Sequence, residues 1–500
     1  MLLPTPREDL VLNTAEYERV PLIKRTGFRE YDARWLYPQE INLMGLQAVG
    51  MGLTMLFDRR GVPKRFIVGH DFRSYSASVK QALMCGLLAG GGEVYDIGLA
   101  LSPMAYYAQF SLNVEGVAMV TASHNENGWT GIKMGMERPL TFGIDEISEL
   151  KSIVFDNKLE PALGGSYVFV NDMANRYISS LTRRPKLKHK LKVVVACGNG
   201  TSGVFAPHVL KAVGCEVIPL DVRLDYSFPT YNPNPEDIKM LHAISDTVRK
   251  NRADVGFGFD GDGDRCGIVD NEGNEIFADK VGVMLARDIS KSHSNARFVA
   301  DIKSTSLFMT DPILLANGAK TTYWKTGHSY IKRYSHETKS LVGFEKSGHF
   351  FFNPPLGRGY DDGIIAALAV CDMLDRNPTK TMADLFRELP KTWQSPTMSP
   401  TCSDEEKYMV VNRILKHYET IFNNKEKIAG QSIVEIITVN GLRIVLEDGT
   451  WGLVRASSNK PELVVVVESP SSEKNMNAIF SDINVQLQRH TEIGAFNQKL

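Results

Sequence analysis

An α/β protein built of several domains is predicted from three features of the 500-residue sequence. Apolar, strand-like runs alternate with helix-spaced segments through most of the chain, which is the pattern of βαβ units. That scheme repeats in three successive blocks, and the length asks for three or four domains. The final block departs from it. There two hairpin dipeptides, Asn440-Gly441 and Asp448-Gly449, join strand-like runs, which predicts an antiparallel α+β domain.

In the first block Arg65–Val68 reads as a strand and Ser76–Leu88 as a helix ended by Gly90-Gly91-Gly92. Glu93–Ile97 and Gly116–Thr121 read as further strands. The basic segment Arg183–Lys190, with Pro185, reads as a linker. The second block predicts strands over Leu191–Ala196 and Glu216–Leu220, and helices over Val204–Val213 and Pro235–Lys250. Its last strand, Ala253–Phe259, runs into an aspartate-rich loop. The third block predicts strands over Phe298–Ile302, Thr321–Trp324 and Ser340–Phe344. Its helices are expected over Asp311–Asn317, after Gly327, and over Asp361–Leu374. Pro396 and Pro400 mark another linker. Beyond it a helix over Asp404–Phe422, strands over Ser432–Val439, Leu442–Leu446, Trp451–Val454 and Leu463–Val467, and a closing helix over Ser472–Leu487 are expected.

Composition narrows the function classes. Lys+Arg 57 against Asp+Glu 58 gives a net charge of −1, which offers no electrostatic reason to expect nucleic acid or an anionic membrane as partner. Hydrophobic residues at 43% and charged residues at 23% are the balance of a soluble globular protein. The six cysteines, Cys85, Cys197, Cys215, Cys266, Cys371 and Cys402, are scattered without a CxxC pair, as expected in a reducing cytoplasm. Met1–Arg25 mixes charges throughout and does not read as a signal peptide, and no apolar run approaches membrane-spanning length.

The richest chemical signal is Gly258-Phe-Asp-Gly-Asp-Gly-Asp-Arg265. Asp260, Asp262 and Asp264 repel one another, and a hard cation such as Mg²⁺ relieves that repulsion with the carboxylate oxygens it prefers. Gly261 and Gly263 allow the tight backbone turn that aims the three side chains at one point. The loop follows a strand, where open α/β sheets place ligands. An EF-hand calcium loop also spaces aspartates by two, but it needs Gly at its sixth position and Glu at its twelfth. Arg265 and Asn271 stand there instead.

Three other loops end strands. Thr121–Lys133 carries Ser123 among polar residues and glycines, and it lacks the Gly-x-Ser-x-Gly of a hydrolase elbow. Gly343–Phe350 carries Glu345 and Ser347, which suit vicinal hydroxyls. Arg455–Pro461 offers a guanidinium, hydroxyls and an amide, a donor set that suits phosphate. Each of these alone reads equally well as an ordinary polar turn.

Taken in order, the four loops resemble the α-D-phosphohexomutase family, over nearly the whole chain from about Gly27 onward. The serine loop Thr121–Asn125, the DGDGD(R) loop Asp260–Arg265, the GE(x)SGH-like Gly343–His349 and the R-(A/P)-S loop Arg455–Ser457 are all similar to family motifs. So are Phe28–Arg34, like FR-x-YD-x-R, and Thr326–Ser329 with Lys332, like the TGHS segment. Three positions depart from the pattern: Ala122 for a common Gly, Phe344 inserted before Glu345, and Asn459-Lys460-Pro461 for a common Thr-Glu-Pro.

The resemblance implies four domains around a central cleft: 1–184 with the serine loop, 185–292 with the metal loop, 293–395 with the sugar loop, and 396–500 with the phosphate loop. The first three are expected as mixed-sheet α/β domains. It implies a mutase that interconverts hexose 6-phosphate and hexose 1-phosphate, through a phosphorylated Ser123 and a 1,6-bisphosphate. Ser123, Asp260, Asp262 and Asp264 would hold Mg²⁺. Lys133, Arg34, His328 and Arg265 would serve the chemistry, with Lys133 a base only if its pKa is lowered. Tyr31, His124, Lys303, Gly327, Glu345, Ser347, Arg455, Ser457, Ser458 and Asn459 would bind substrate. His349 points to mannose and glucose phosphates, with phosphoglucomutase or phosphoglucosamine mutase as alternatives. The expected protein is a cytoplasmic monomer or weak dimer, activated by hexose 1,6-bisphosphate. A catalytically dead sugar-phosphate or Mg²⁺ binder and a hydrolase are the readings from other classes.

Overall fold

The described residues form three mixed sheets and one antiparallel sheet, and a single hairpin design recurs in the first three. The computed structural model describes residues 3–156 and 158–498. The first sheet runs Ala33–Leu36, Trp129–Gly135, Gly116–Val120, Arg65–His70, Glu93–Leu99, Ser166–Phe169, in spatial order. Gly116–Val120 is parallel to Arg65–His70 but antiparallel to Trp129–Gly135, which returns directly from it. In the second sheet Val255–Phe259 is parallel to Lys192–Ala196 and antiparallel to the returning Cys266–Asp270. In the third, Val342–Phe344 is parallel to Arg297–Asp301 and antiparallel to Phe350–Phe352. The serine, metal and sugar loops are therefore the same object three times. Each is the turn by which a buried parallel strand doubles back as an edge-ward antiparallel one. The fourth sheet is antiparallel throughout, and the phosphate loop is the turn between Trp451–Ala456 and Leu463–Ser469.

The central strands are apolar on both faces because helices cover both. Val193, Val195, Phe257, Phe298 and Phe344 join helices Ser102–Leu112, Met173–Thr182, Ala206–Ala212, Ala278–Ser290 and Gly363–Arg376 in one buried cluster that runs through all three α/β sheets. Asp362 caps the last of these helices, accepting from the Ile364 and Ile365 amides. Some boundaries shift from expectation. The helix expected from Pro235 starts at Ile238, with Asp237 as its N-cap, accepting from the Lys239 amide. The one expected from Asp404 starts at Lys407. Helix Ala206–Ala212 follows a 3₁₀ turn, Thr201–Val204, with Pro207 in its first turn.

The fourth domain meets the third through a smaller apolar contact of Ile302 with Trp451, Leu453, Val464 and Val466. Beside it Glu468 is fully buried and accepts from Lys280 Nζ at 2.6 Å, Thr305 Oγ1 at 2.7 Å, the Ser306 amide at 2.8 Å and Trp451 Nε1 at 2.8 Å. Arg443 stacks 3.7 Å over the Trp451 ring and donates to the carbonyls of Ile302 and Ser304. Burial opposes ionisation of Glu468, but Lys280 and these donors outweigh it and hold the carboxyl well below its usual range.

Removing one member of such a pair strands the other, so Glu468→Ala is expected to destabilise the protein by about 3–5 kcal/mol, read as a lower urea midpoint. Because the folded-state pKa is depressed, this contribution is complete above the ordinary glutamate range of about 4. It declines progressively as pH falls below that range and is gone once the folded carboxyl is protonated.

Candidate active site

The four hairpin turns converge on one cleft of about 420 Å³. Tyr31, Arg34, Ser123, His124, Lys133, Arg265, Lys303, Gly327, His328, Glu345, Ser347, Arg455, Ser457, Ser458 and Asn459 all line it. Asp260, Asp262 and Asp264 do not. They lie just beneath its floor, fully buried. Residues from all four sheets thus share one cavity, although the serine and the phosphate loop are far apart along the chain.

Ser123 has φ 52°, in the left-handed region that a residue with a side chain adopts only when its surroundings insist. Two arginines supply that constraint. Arg73 donates to the carbonyls of Ser123 and Asn125 and pairs with Asp71, and Arg34 donates to the Ala122 carbonyl and Asn125 Oδ1 and pairs with Asp32. The Ser123 amide donates to Thr121 Oγ1 at 2.8 Å. So held, Ser123 Oγ lies 3.1 Å from Asp260 Oδ2, across the boundary between the first two sheets. Gly261 is needed at this approach, since a Cβ there would sit 2.6 Å from the Ser123 carbonyl oxygen.

The aspartate loop is a concentrated charge problem. Ligand oxygens of Asp260, Asp262 and Asp264 lie within 4.8 Å of one another, and Asp262 Oδ1 is buried without a hydrogen-bond partner. Lys133 Nζ, from the first sheet, donates to Asp262 Oδ2 at 2.7 Å and to Asp264 Oδ2. Ser102 Oγ also donates to Asp262 Oδ2. Burial, with Asp264 and Asp262 alongside, holds the Asp260 carboxyl well above the usual range. Burial works against Asp264 too, but Lys133 and His349 outweigh it and hold it well below. Burial would lower the Lys133 pKa, yet Asp262 and Asp264 raise it well above its ordinary value, so Lys133 is an ammonium here. The condition set for it as a base, a lowered pKa, is not met in this arrangement. Three convergent carboxylates, one with a free buried oxygen, fit a metal ion that prefers oxygen ligands.

The sugar loop is wired to this loop through His349. Its Nε2 is 3.3 Å from Asp264 Oδ1, and its Nδ1 is 2.9 Å from Glu345 Oε2. Burial opposes its protonation, but Asp264 and Glu345 raise its pKa to about 9. Glu345 Oε1 in turn accepts from the Gly327 amide at 2.5 Å. Gly327 has φ 134°, and a Cβ on it would meet the Tyr31 ring at 2.6 Å. His328, next in the chain, opens helix His328–Glu337. Burial, then Lys332, lowers its pKa well below the ordinary value, and its Nε2 has no hydrogen-bond partner. It is a neutral imidazole facing the cleft.

In the phosphate loop Arg455 Nε donates to Asn440 Oδ1 and its Nη2 to Ser458 Oγ. Lys407 Nζ holds the loop from behind, donating to the carbonyls of Ser457 and Lys460. Across the mouth of the cleft Asn459 Nδ2 donates to Tyr31 Oη. Around it Arg29 pairs with Asp404 at 2.8 Å, and Glu30 accepts from the hydroxyls of Tyr330 and Tyr408. The first, third and fourth domains are thereby clasped over the cleft.

Several working residues were not anticipated from sequence. Arg73 and Asp71 follow the strand Arg65–His70, as the other loops follow theirs, and that shared position is the signal that could have found them. Glu236, which faces Arg265 at 3.4 Å, and the clasp residue Glu30 carry no such signal, because only the folding brings their partners near.

Comparison with known proteins follows the same division. Residues 25–160, 169–273, 277–393 and 401–484 match, in order, phosphoglucomutase/phosphomannomutase alpha/beta/alpha domains I, II and III and the C-terminal domain. A phosphomannomutase/phosphoglucomutase of Pseudomonas syringae pv. tomato is 33% identical over 449 residues, 90% of this chain and 92% of that one. A phosphoglucomutase of Neisseria meningitidis serogroup A is 29% identical, over 89% of this chain and 94% of that one. The solved structure of a phosphoglucomutase/phosphomannomutase family protein from Burkholderia thailandensis superposes with a TM-score of 0.81 at 28% identity, covering 94% of this chain and 98% of that one.

A divalent cation is expected to raise thermal stability, since binding the folded state at a hundredfold excess over Kd is worth about 2.7 kcal/mol. Asp262→Asn should weaken Mn²⁺ binding, read by electron paramagnetic resonance, at least about tenfold. Equal binding by the variant would place the ion elsewhere.

Proposed function

The chain belongs to the phosphoglucomutase/phosphomannomutase family, and from that membership we propose that it interconverts hexose 6-phosphates and hexose 1-phosphates, of mannose and also of glucose. The observation that carries the reading is the 3.1 Å approach of Ser123 Oγ to the buried aspartate triad at the floor of a four-walled cleft. That juxtaposition supports Ser123 as the residue that carries the phosphoryl group.

Asp260, Asp262, Asp264 and Ser123 would hold Mg²⁺, which when bound spreads the charge of the migrating group. In the forward step a substrate oxygen attacks the phosphorus on Ser123. The new P–O bond forms as the Ser123 Oγ–P bond breaks, and the product is a hexose 1,6-bisphosphate with unmodified serine. The hydroxyl proton needs an acceptor, and His328 Nε2 is the group we assign to it, since it is neutral and unpartnered at the cleft wall. Arg265 and Lys133 place positive charge by the reacting phosphoryl group. Arg34 fixes the serine loop. The bisphosphate then turns end for end, and Ser123 takes back the other phosphoryl group.

Arg455, Ser457, Ser458 and Asn459 would grip whichever phosphate is not reacting, with a guanidinium fork and small donors that suit either end. Glu345 and Ser347 would take vicinal hydroxyls, and Tyr31, His124, Lys303 and Gly327 complete the substrate wall. Added hexose 1,6-bisphosphate would act as primer. The domain limits set out above, 1–184, 185–292, 293–395 and 396–500, give each loop its own unit. No helix among the described residues is long and apolar enough to cross a membrane. All six cysteines are free thiols, which supports the cytoplasm as the compartment. We assign a monomer or weak dimer.

In a coupled assay of mannose 1-phosphate and glucose 1-phosphate, primed with bisphosphate, the protein is expected to turn both over without releasing inorganic phosphate. Ser123→Ala should lose at least about a thousandfold of that rate and take up no phosphoryl group by intact mass. Turnover retained in Ser123→Ala would overturn the assignment. Phosphate release without isomer would indicate a hydrolase, and binding without turnover an inactive binder.

A further inference from the structure

The segment that joins the third and fourth domains is not a free tether. On one edge it pairs with strand Leu463–Ser469: the Ser395 and Met398 amides donate to the carbonyls of Val467 and Val465, and the Val465 and Leu463 amides donate to the carbonyls of Met398 and Pro400. Residues 398 and 400 thus face that strand, and by the alternation of an extended chain residues 397, 399 and 401 face away. Their polar groups would line an open sheet edge, a place where a strand frays.

The C-terminal tail occupies that edge. The Thr401 amide donates to the Ala495 carbonyl at 3.2 Å and the Gly494 amide to the Thr401 carbonyl at 2.9 Å. The Asn497 amide donates to the Ser399 carbonyl at 3.0 Å, and the Ser399 amide returns to Asn497 Oδ1 at 2.7 Å. Gln498 Nε2 reaches the Thr397 carbonyl at 2.5 Å. The approach is close enough that a Cβ on Gly494 would sit 2.1 Å from Thr401 Oγ1. Phe496 anchors the tail edge-on against Phe480 of helix Glu473–Leu487. The tail lies beyond residue 484, where the matched C-terminal domain ends.

The strap also reaches the cleft. Thr397, Ser399, Asn497 and Gln498 line the same cavity as the phosphate loop, on the wall that continues through Glu462 and Val464. We infer that the tail Ile493–Gln498 is a positioning strap, with Asn497 its key residue: it holds the interdomain strand, and through it the phosphate-loop wall, at the spacing that retains the bisphosphate while it turns. The inference rests on the mutase reading above. Without the strap the strand keeps its pairing to Leu463–Ser469 but loses every hydrogen bond on its outer edge, so that wall loosens while Ser123 and the aspartate loop stay in place. The effect falls on holding ligand rather than on the chemical step.

The test uses the full chain, Asn497→Ala, and a chain ended after Glu492. In Asn497→Ala, KM for glucose 1-phosphate is expected to rise about three- to tenfold, the scale of one lost hydrogen bond, with kcat within about twofold. The concentration of hexose 1,6-bisphosphate needed to prime turnover should rise in step. The truncated chain should show the same changes in greater measure, and the Ser399 amide should exchange faster in both. If unaltered protein turns over no hexose phosphate, the mutase reading fails. If unaltered protein is active and both variants match it in KM and primer requirement, the strap fails. A fall in kcat at unchanged KM would equally overturn it, since that is damage to the chemical centre.

Discussion

Burying three carboxylates at one strand end is the constraint on which the rest of this structure depends. Asp260, Asp262 and Asp264 are taken wholly out of water within ligand distance of one another, an arrangement that desolvation and mutual repulsion both oppose. What makes it tolerable comes from elsewhere in the chain. Lys133 arrives from the first sheet, Ser102 from the start of a helix in the same domain, and His349 from the third sheet. Each brings positive charge or a donor, and together they bind the first three domains to a common centre. The same convergence sets Ser123 beside the triad, so the need for counter-charge and the geometry of the proposed chemistry have one origin.

The architecture answers that constraint by repetition. A turn between a buried parallel strand and its returning antiparallel neighbour exposes few residues, holds them on rigid backbone and points them past the sheet end. Using that turn three times, and a plain hairpin a fourth, brings serine, metal, sugar and phosphate loops to one cavity. The three α/β units share a continuous apolar core. The fourth is attached differently, through a small apolar patch, the buried Glu468 cluster, the paired interdomain strand and the Glu30 clasp. Of these, the Glu30 clasp lies where water can replace its hydrogen bonds singly, which suits a wall proposed to admit and release ligand, while the buried Glu468 cluster keeps the domain attached. The division sets the proposed reacting centre on the shared core and the proposed phosphate grip on the separately attached domain.

The sequence made the loops legible because each is built of residues whose chemistry is extreme: carboxylates between glycines, a serine after an apolar strand, an arginine before hydroxyls. It also showed the parallel strands, whose apolar runs are continuous. It did not show the returning strands Trp129–Gly135, Cys266–Asp270 and Phe350–Phe352, since a short run after a polar turn carries no period of its own. Nor did it show how the loops are held. Arg73 shares with the loop residues a place just after a strand, but its partners, the carbonyls of Ser123 and Asn125, are set only once two distant segments meet. Lys133 shows the limit most clearly. Its burial was foreseeable as a cause of lowered pKa, but the two carboxylates that reverse the sign come from another sheet. The Pro396 and Pro400 stretch reads as a linker by composition, yet it is held on both edges by partners remote in the chain.

The central claim is that one serine oxygen and three buried aspartates serve a single divalent ion. Electron–nuclear double resonance on Mn²⁺-loaded protein, after incubation with hexose 1,6-bisphosphate and removal of free ligand, measures it directly. The account predicts a phosphorus coupling to the bound Mn²⁺ that is absent from Ser123→Ala. Mn²⁺ held by the aspartates with no coupled phosphorus, in protein shown by mass to carry the phosphoryl group, would contradict it.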